Sequence, residues 1–134
     1  MKINHDCIRD LLLYLEENLV LTPNLEFCSI SLQELIDSEQ LNYPKEDIAH
    51  SAILLDEAGY IDISVLYADN CISSLNIHRI LYDGYSFLDS IRPQTVWDKT
   101  KSVCLTLGSW SFDTITRIAS NVLAQTIPII IANL

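Results

Sequence analysis

Glycine is scarce in this sequence, and basic residues are few beside acidic ones. Three glycines in 134 residues leave no Gly-rich phosphate loop, and no Gly-x-Ser-x-Gly elbow occurs. The histidines, His5, His50 and His78, fall in three separate stretches with no His-Glu-x-x-His pair. The four cysteines, Cys7, Cys28, Cys71 and Cys104, form no Cys-x-x-Cys pair, which removes the usual zinc and dithiol spacings. Carboxylates are plentiful but mostly flank helices. With no motif whose spacing carries mechanics, the expectation is a protein that is not an enzyme, with no catalytic residue, cofactor or metal. The amino terminus has no basic stretch ahead of an apolar core, so no signal peptide is expected. That places the chain in the cytoplasm, with reduced thiols buried mainly as small hydrophobes.

The shortage of positive charge is uneven. Lys and Arg number 8 against 18 Asp and Glu, a net −10. No Lys or Arg lies between Leu11 and Pro44, nor between Glu46 and His78. Residues 1–92 hold 5 basic and 16 acidic residues, or −11, and residues 93–134 hold 3 and 2, or +1. Non-specific affinity for DNA comes from Lys and Arg on phosphates. The balance therefore predicts a protein partner, or DNA mimicry, ahead of DNA itself. An acidic face also serves solubility.

Apolar residues make up 49% of the chain, enough for a real core, and the length suits one domain with an extension. The central stretch is Tyr43 to Leu81. Pro44 suits a helix start, Glu46 and Asp47 complement the positive end of the dipole, and Ile48, Ala52, Leu55 and Ala58 recur at helical spacing. Gly59 suits the C-cap. Tyr60 to Leu66 and Ile72 to Ile80 then read as paired strands about an Ala68-Asp69-Asn70 turn.

Ahead of it, Asn4 can cap a helix over His5–Asn18 whose stripe is Ile8, Leu11, Leu12, Leu15 and Leu19. Leu21 to Ser29 reads as a connector turning at Thr22-Pro23-Asn24, and Phe27 to Ile30 as a short strand. Ser31 and Glu34 form a capping-box pattern for a helix from Leu32 to about Glu39. Behind it come helices over Tyr82–Ile91 and Thr95–Leu105, with Val96, Trp97, Thr100, Val103 and Cys104 facing inward. A last helix runs from Ser109 or Ser111 to about Thr126, with Pro128 breaking or kinking it. The fold class read from this order is mostly α with a small antiparallel β-hairpin or three-stranded sheet. It is a winged helix-turn-helix over residues 1–92, with a helical extension over 93–134 for oligomerisation.

Several stretches resemble a family of phage and prophage proteins catalogued as domain of unknown function 2513. They are His5 to Leu12, Ile48 to Gly59 with Tyr60, Phe87-Leu88-Asp89-Ser90-Ile91-Arg92, Val96-Trp97-Asp98-Lys99-Thr100-Lys101 and Gly108-Ser109-Trp110-Ser111-Phe112-Asp113. The resemblance implies a winged-helix-like domain and a phage-linked setting, and no activity. The chain departs from the family where Leu81-Tyr82-Asp83-Gly84 replaces a Leu-Thr-x-x-Gly-like helix entry. Its tail is also more apolar and less basic, which weakens any shared nucleic-acid role.

Two functional readings follow. In the first, the chain works through protein contacts and as a homodimer. Its interface is the apolar face of the last helix and the tail: Ile118, Val122, Leu123, Ile127, Ile129, Ile130 and Ile131. A membrane anchor is not expected, because Arg117, Asn121 and Gln125 interrupt the apolar segment. In the second, it is a DNA-binding regulator whose contacts are Lys45, His50 and Ser51 on the central helix and His78 and Arg79 at the base of the hairpin. Two acids beside one Lys make that helix a poor match for phosphates.

Overall fold

The structure, a computed structural model, describes residues 1–134. It is mostly α, with two small antiparallel sheets. The helices are α1 (His5–Asn18), α2 (Leu32–Asp37), α3 (Lys45–Glu57), α4 (Tyr82–Ile91), α5 (Gln94–Leu107) and α6 (Phe112–Ala132). The strands are β1 (Val20–Leu21), β2 (Phe27–Cys28), β3 (Ile30–Ser31), β4 (Ile61–Ala68) and β5 (Cys71–Ile80). β1 pairs with β2, and a three-stranded sheet has the order β3-β5-β4. The chain separates into two compact units, Met1–Tyr85 and Ser86–Leu134, and the division falls within α4.

In the first unit α1 begins where Asn4 accepts a hydrogen bond from the Cys7 N–H at 3.0 Å. Its stripe of Ile8, Leu11, Leu12 and Leu15 is buried, each side chain worth about 1.5–3 kcal/mol against exposure. An isolated helix of this length is marginal in water, so this face rather than propensity holds it. Ser31 caps α2 by accepting from the Glu34 N–H. The α2 helix stops at Asp37, two residues short of the expected end. On α3, Ile48, Ala52 and Leu55 are buried as expected, whereas Ala58 is exposed because it lies past the last turn. Gly59 follows in the left-handed region at φ +78°.

The β4–β5 hairpin closes on Asp69 and Asn70, both at positive φ, the backbone a two-residue turn demands. The β5 strand is longer than β4, and the difference sits in two bulges. Arg79 pairs with Asp62 and Ile77 with Ile63, leaving His78 as the extra residue; Ser73 is the extra residue nearer the turn. Leu75, Ile77 and Ile80 stay on the buried face across the first bulge. The segment expected as a connector is instead a second hairpin, β1–β2. Phe27 to Ile30 is not one strand, since β2 pairs with β1 and β3 pairs with β5, with Ser29 between them.

In the second unit Val96, Trp97, Thr100 and Cys104 of α5 are buried, but Val103 is 39% exposed and faces out, contrary to its expected packing role. Gly108, at φ +71°, ends the helix. Ser111 caps α6 by accepting from the Thr114 N–H at 3.1 Å. Phe87 and Phe112 pack with ring centroids 5.1 Å apart. Pro128 does not end α6, which runs through it to Ala132. Proline's fixed φ is helical. The one carbonyl deprived of its N–H belongs to Ala124, four residues back on an exposed stretch where water can take its place.

Candidate functional site

No constellation of ligating side chains occurs: there is no group of three or more His, Cys, Asp or Glu residues placed to hold a metal ion. Three surface grooves and an exposed hairpin stand out. The DNA-contact candidates divide into unlike environments. Ser51 is only 2% exposed and hydrogen-bonds Cys7 of α1, so it cannot reach a ligand. Position 51 follows the apolar stripe round to the α1 side of α3. Lys45 is exposed and lines a groove of about 360 Å³ with Gln33 of α2 and Ser73 and Asn76 of β5. His50 is half-buried.

His78 and Arg79 lie together on the outer face of the three-stranded sheet. The His78 ring bridges two hydroxyls. Ser29 Oγ is 2.7 Å from Nδ1 and Ser64 Oγ is 2.7 Å from Nε2. In a neutral ring one serine donates and the other accepts. The bulge at position 78 is what lets His78 and Arg79 share a face. The Arg79 guanidinium stacks over Phe27, 5.9 Å from the ring centroid, rather than pairing with Asp62 across the strand. A groove of about 310 Å³ opens there, walled by Val20, Leu21, Phe27 and Tyr85.

The β1–β2 hairpin that supplies three of those walls has no buried strand residue. Val20, Leu21, Leu25 and Phe27 are 57, 52, 78 and 56% exposed. Leu25 also holds φ +64°, a conformation that costs a non-glycine residue roughly 1–2 kcal/mol. Sequence reasoning missed this element. The apolar residues Val20, Leu21, Leu25 and Phe27 around a Thr-Pro-Asn turn were its available signal.

Behind these surfaces, α1 is tied by polar contacts to α3 and to the segment just ahead of it. Asn4 Nδ2 donates to Asp47 Oδ2 at 3.0 Å, Cys7 meets Ser51, and the Tyr43 hydroxyl donates to Asp10. Burial pushes the Cys7 thiol up to about 11, with Asp47 and Asp10 adding to it and the Ser51 hydrogen bond opposing. Burial, then the Asp10 hydrogen bond, pushes the Tyr43 phenol well above its ordinary value. Neither group is set up to ionise near neutrality, so the cluster is a structural fastening.

The second unit carries its own groove, about 540 Å³, between α5 and α6. Asp98, Lys99 and Val103 line one side, and Ile118, Val122 and Gln125 the other. Leu123 beside it is half-buried. Beyond it Ile127, Ile129, Ile130 and Ile131 are 52, 64, 56 and 61% exposed. Successive residues turn by about 100°, so these four side chains surround the helix. By length and composition alone α6 could cross a membrane, with a mean hydropathy of 1.4 and 11% of that window buried. The thiols differ from expectation: Cys7 and Cys104 are buried, but Cys28 on β2 and Cys71 at the turn end of β5 are exposed.

Fold and surfaces define a small, acidic, mostly helical protein with exposed apolar surface on each of its units. The chain belongs to the family described as "Hypothetical protein (DUF2513)", whose model matches residues 2–110. Helix α6 lies outside the matched residues. The chain is also similar to a protein of Haemophilus influenzae named "Uncharacterized protein", with 28% identity over 126 residues, 93% of this chain and 98% of that one. No solved structure matches it.

Proposed function

We propose that the protein is a non-enzymatic module of phage or prophage type that acts through protein contacts in the cytoplasm and associates as a homodimer. In this reading the first unit is a winged helix used as a scaffold. The order α1, β3, α2, α3, β4, β5 is that of a winged helix, and the phage setting rests on the family resemblance. The observation that carries the reading is the exposed apolar surface of α6 at Ile127, Ile129, Ile130 and Ile131.

Charge supports association through the second unit. Met1–Tyr85 holds 4 basic and 15 acidic residues, a net −11, and Ser86–Leu134 holds 4 and 3, a net +1. Joining two copies through the first unit sets −11 against −11. Joining them through the second meets little repulsion. Full burial of an isoleucine is worth about 1.5–3 kcal/mol, and one face of α6 offers Ile127, Ile130 and Ile131, so covering their exposed parts in each copy gives roughly 8 kcal/mol gross. Association costs about 4–15 kcal/mol. The tail alone is marginal, and the reading therefore has the α5–α6 groove covered as well.

Light scattering tests it. The expected mass is near twice 15.2 kDa, falling to the monomer when residues from Ile127 onward are deleted or Ile130 and Ile131 are both changed to Asp. A monomer for the intact chain refutes the dimer, and flotation of the intact chain with lipid vesicles replaces it with a membrane anchor. The competing reading, a DNA-binding regulator, draws on the element order but loses Ser51 as a contact. It requires a gel-shift complex at low salt that weakens with Lys45→Glu and His50→Glu.

A further inference from the structure

Three surfaces invite a partner: the α5–α6 groove assigned above to a second copy, the groove beside Lys45, and the groove beside the β1–β2 hairpin. The third carries an argument about what fills it. Its walls Val20, Leu21, Phe27 and Tyr85 are all more than two-fifths exposed, a concentration of large apolar side chains that water does not reward. Its lining holds one formal charge, Arg79, set on the Phe27 ring. The strained Leu25 keeps a further apolar side chain at the hairpin tip, 78% exposed.

A lone exposed arginine with its guanidinium set over an aromatic ring keeps its donors free for a single carboxylate. The surroundings exclude a polyanion. This unit carries −11, with Asp62 opposite Arg79 in the strand register and Glu26 next to Phe27. A phosphate backbone would meet those acids over many nucleotides, whereas one carboxylate meets the arginine at contact distance and the acids through screening solvent. Arg and aromatic residues in a partly desolvated notch are also what concentrated binding energy in protein interfaces uses. A volume of about 310 Å³ accommodates a few side chains, not a folded element.

We propose that this groove docks a partner protein's segment bearing one Asp or Glu flanked by apolar side chains. Arg79 receives the carboxylate, and Val20, Leu21, Phe27 and Tyr85 receive the flanks. The His78 ring, fixed by Ser29 and Ser64, forms the polar end of the groove. The inference rests on the protein-contact reading above and deepens it by naming the surface and the partner's chemistry.

The test is a random peptide library displayed against the intact chain, followed by fluorescence anisotropy of an enriched peptide. Enriched sequences should carry an Asp or Glu beside aromatic or aliphatic residues. Affinity should fall at least tenfold with Arg79→Gln and with Phe27→Ala, and be unchanged with Arg117→Gln on the second unit. Replacing the peptide's carboxylate by the amide should add little once Arg79 is Gln. Both mutated side chains are exposed, so far-UV circular dichroism should be unaltered; should Phe27→Ala lose it, Leu21→Asp takes its place. No enrichment overturns the proposal. So does enrichment indifferent to Arg79 and Phe27, and so does an 18-nucleotide oligothymidine that binds in an Arg79-dependent way. Peptide failure with the dimer intact removes this site alone, while a monomer that binds peptide removes self-association alone.

Discussion

Asn4 and Asp47 are joined side chain to side chain, Nδ2 to Oδ2 at 3.0 Å. The same asparagine accepts from the Cys7 N–H with its oxygen, so one residue both caps α1 and ties it to the first turn of α3. The two jobs separate by mutation. Asn4→Ser keeps the cap and loses the tie, and should cost about 1 kcal/mol. Asn4→Ala loses both, and should cost about 2 kcal/mol. Urea denaturation of the two variants reads the difference. Equal losses would place the whole effect in one of the bonds.

Gly84 and Gly59 should respond differently to alanine. A Cβ on Gly84 would stand 2.1 Å from the Tyr60 carbonyl oxygen, which itself accepts from the Leu81 N–H at 2.9 Å. Neither backbone group can give way cheaply, and Gly84→Ala should cost about 3 kcal/mol although alanine is the better helix former. Gly59 has open space around it and only its φ of +78° to object, so Gly59→Ala should cost about 1 kcal/mol. Thermal and urea midpoints check the order. Gly84→Ala with wild-type stability would mean the helix entry can slide.

The Thr100 hydroxyl is buried without a hydrogen-bond partner. Valine has the same shape without the polar atom, and removing an unsatisfied buried hydroxyl should add about 1 kcal/mol. Thr100→Ala should destabilise, because it leaves a void in a side chain that is fully covered. A loss of stability in Thr100→Val, measured by denaturant midpoint, would indicate a partner for that hydroxyl.

Stability should fall at both ends of the pH range, for separate reasons. Burial holds His5 below its ordinary 6.5, only partly offset by Asp6. The unfolded chain then binds the proton first. The contribution is present above 6.5 and is lost as pH falls through the folded value. Cys7 is the converse, since its thiol is raised from 9.0 to about 11 and the unfolded chain releases the proton first. Its contribution is present below 9.0 and is lost as pH rises toward 11. His5→Gln should flatten the acid limb and Cys7→Ala the alkaline limb of a denaturation series against pH. Limbs unchanged in both variants would assign the losses to other groups.

Local signals were read well where one residue type settles the backbone. The α1 and α4 bounds, the Asn4 and Ser31 caps and the Gly59 and Gly108 helix ends are where spacing and cap chemistry put them, and of Ser109 and Ser111 the latter is the α6 cap. The bulge at His78 was not read, although the chain carries its signal. Leu75, Ile77 and Ile80 step by two and then three, and a strand that keeps one face buried can do that only by inserting a residue. The β1–β2 hairpin was missed because two-residue strands lie below any periodicity.

What the sequence by itself determined is the order of the helices and the long hairpin, the helix caps and the sign of the charge, since each follows from neighbours within a few residues or from simple counting. Tertiary structure alone decided which faces are left over. It turned Ser51 inward onto Cys7, set Arg79 on Phe27 more than fifty residues away in the chain, and left the isoleucines of α6 uncovered past the α5 groove. Those outcomes depend on contacts between distant segments, and on how much apolar surface a small unit can enclose, which no local pattern encodes.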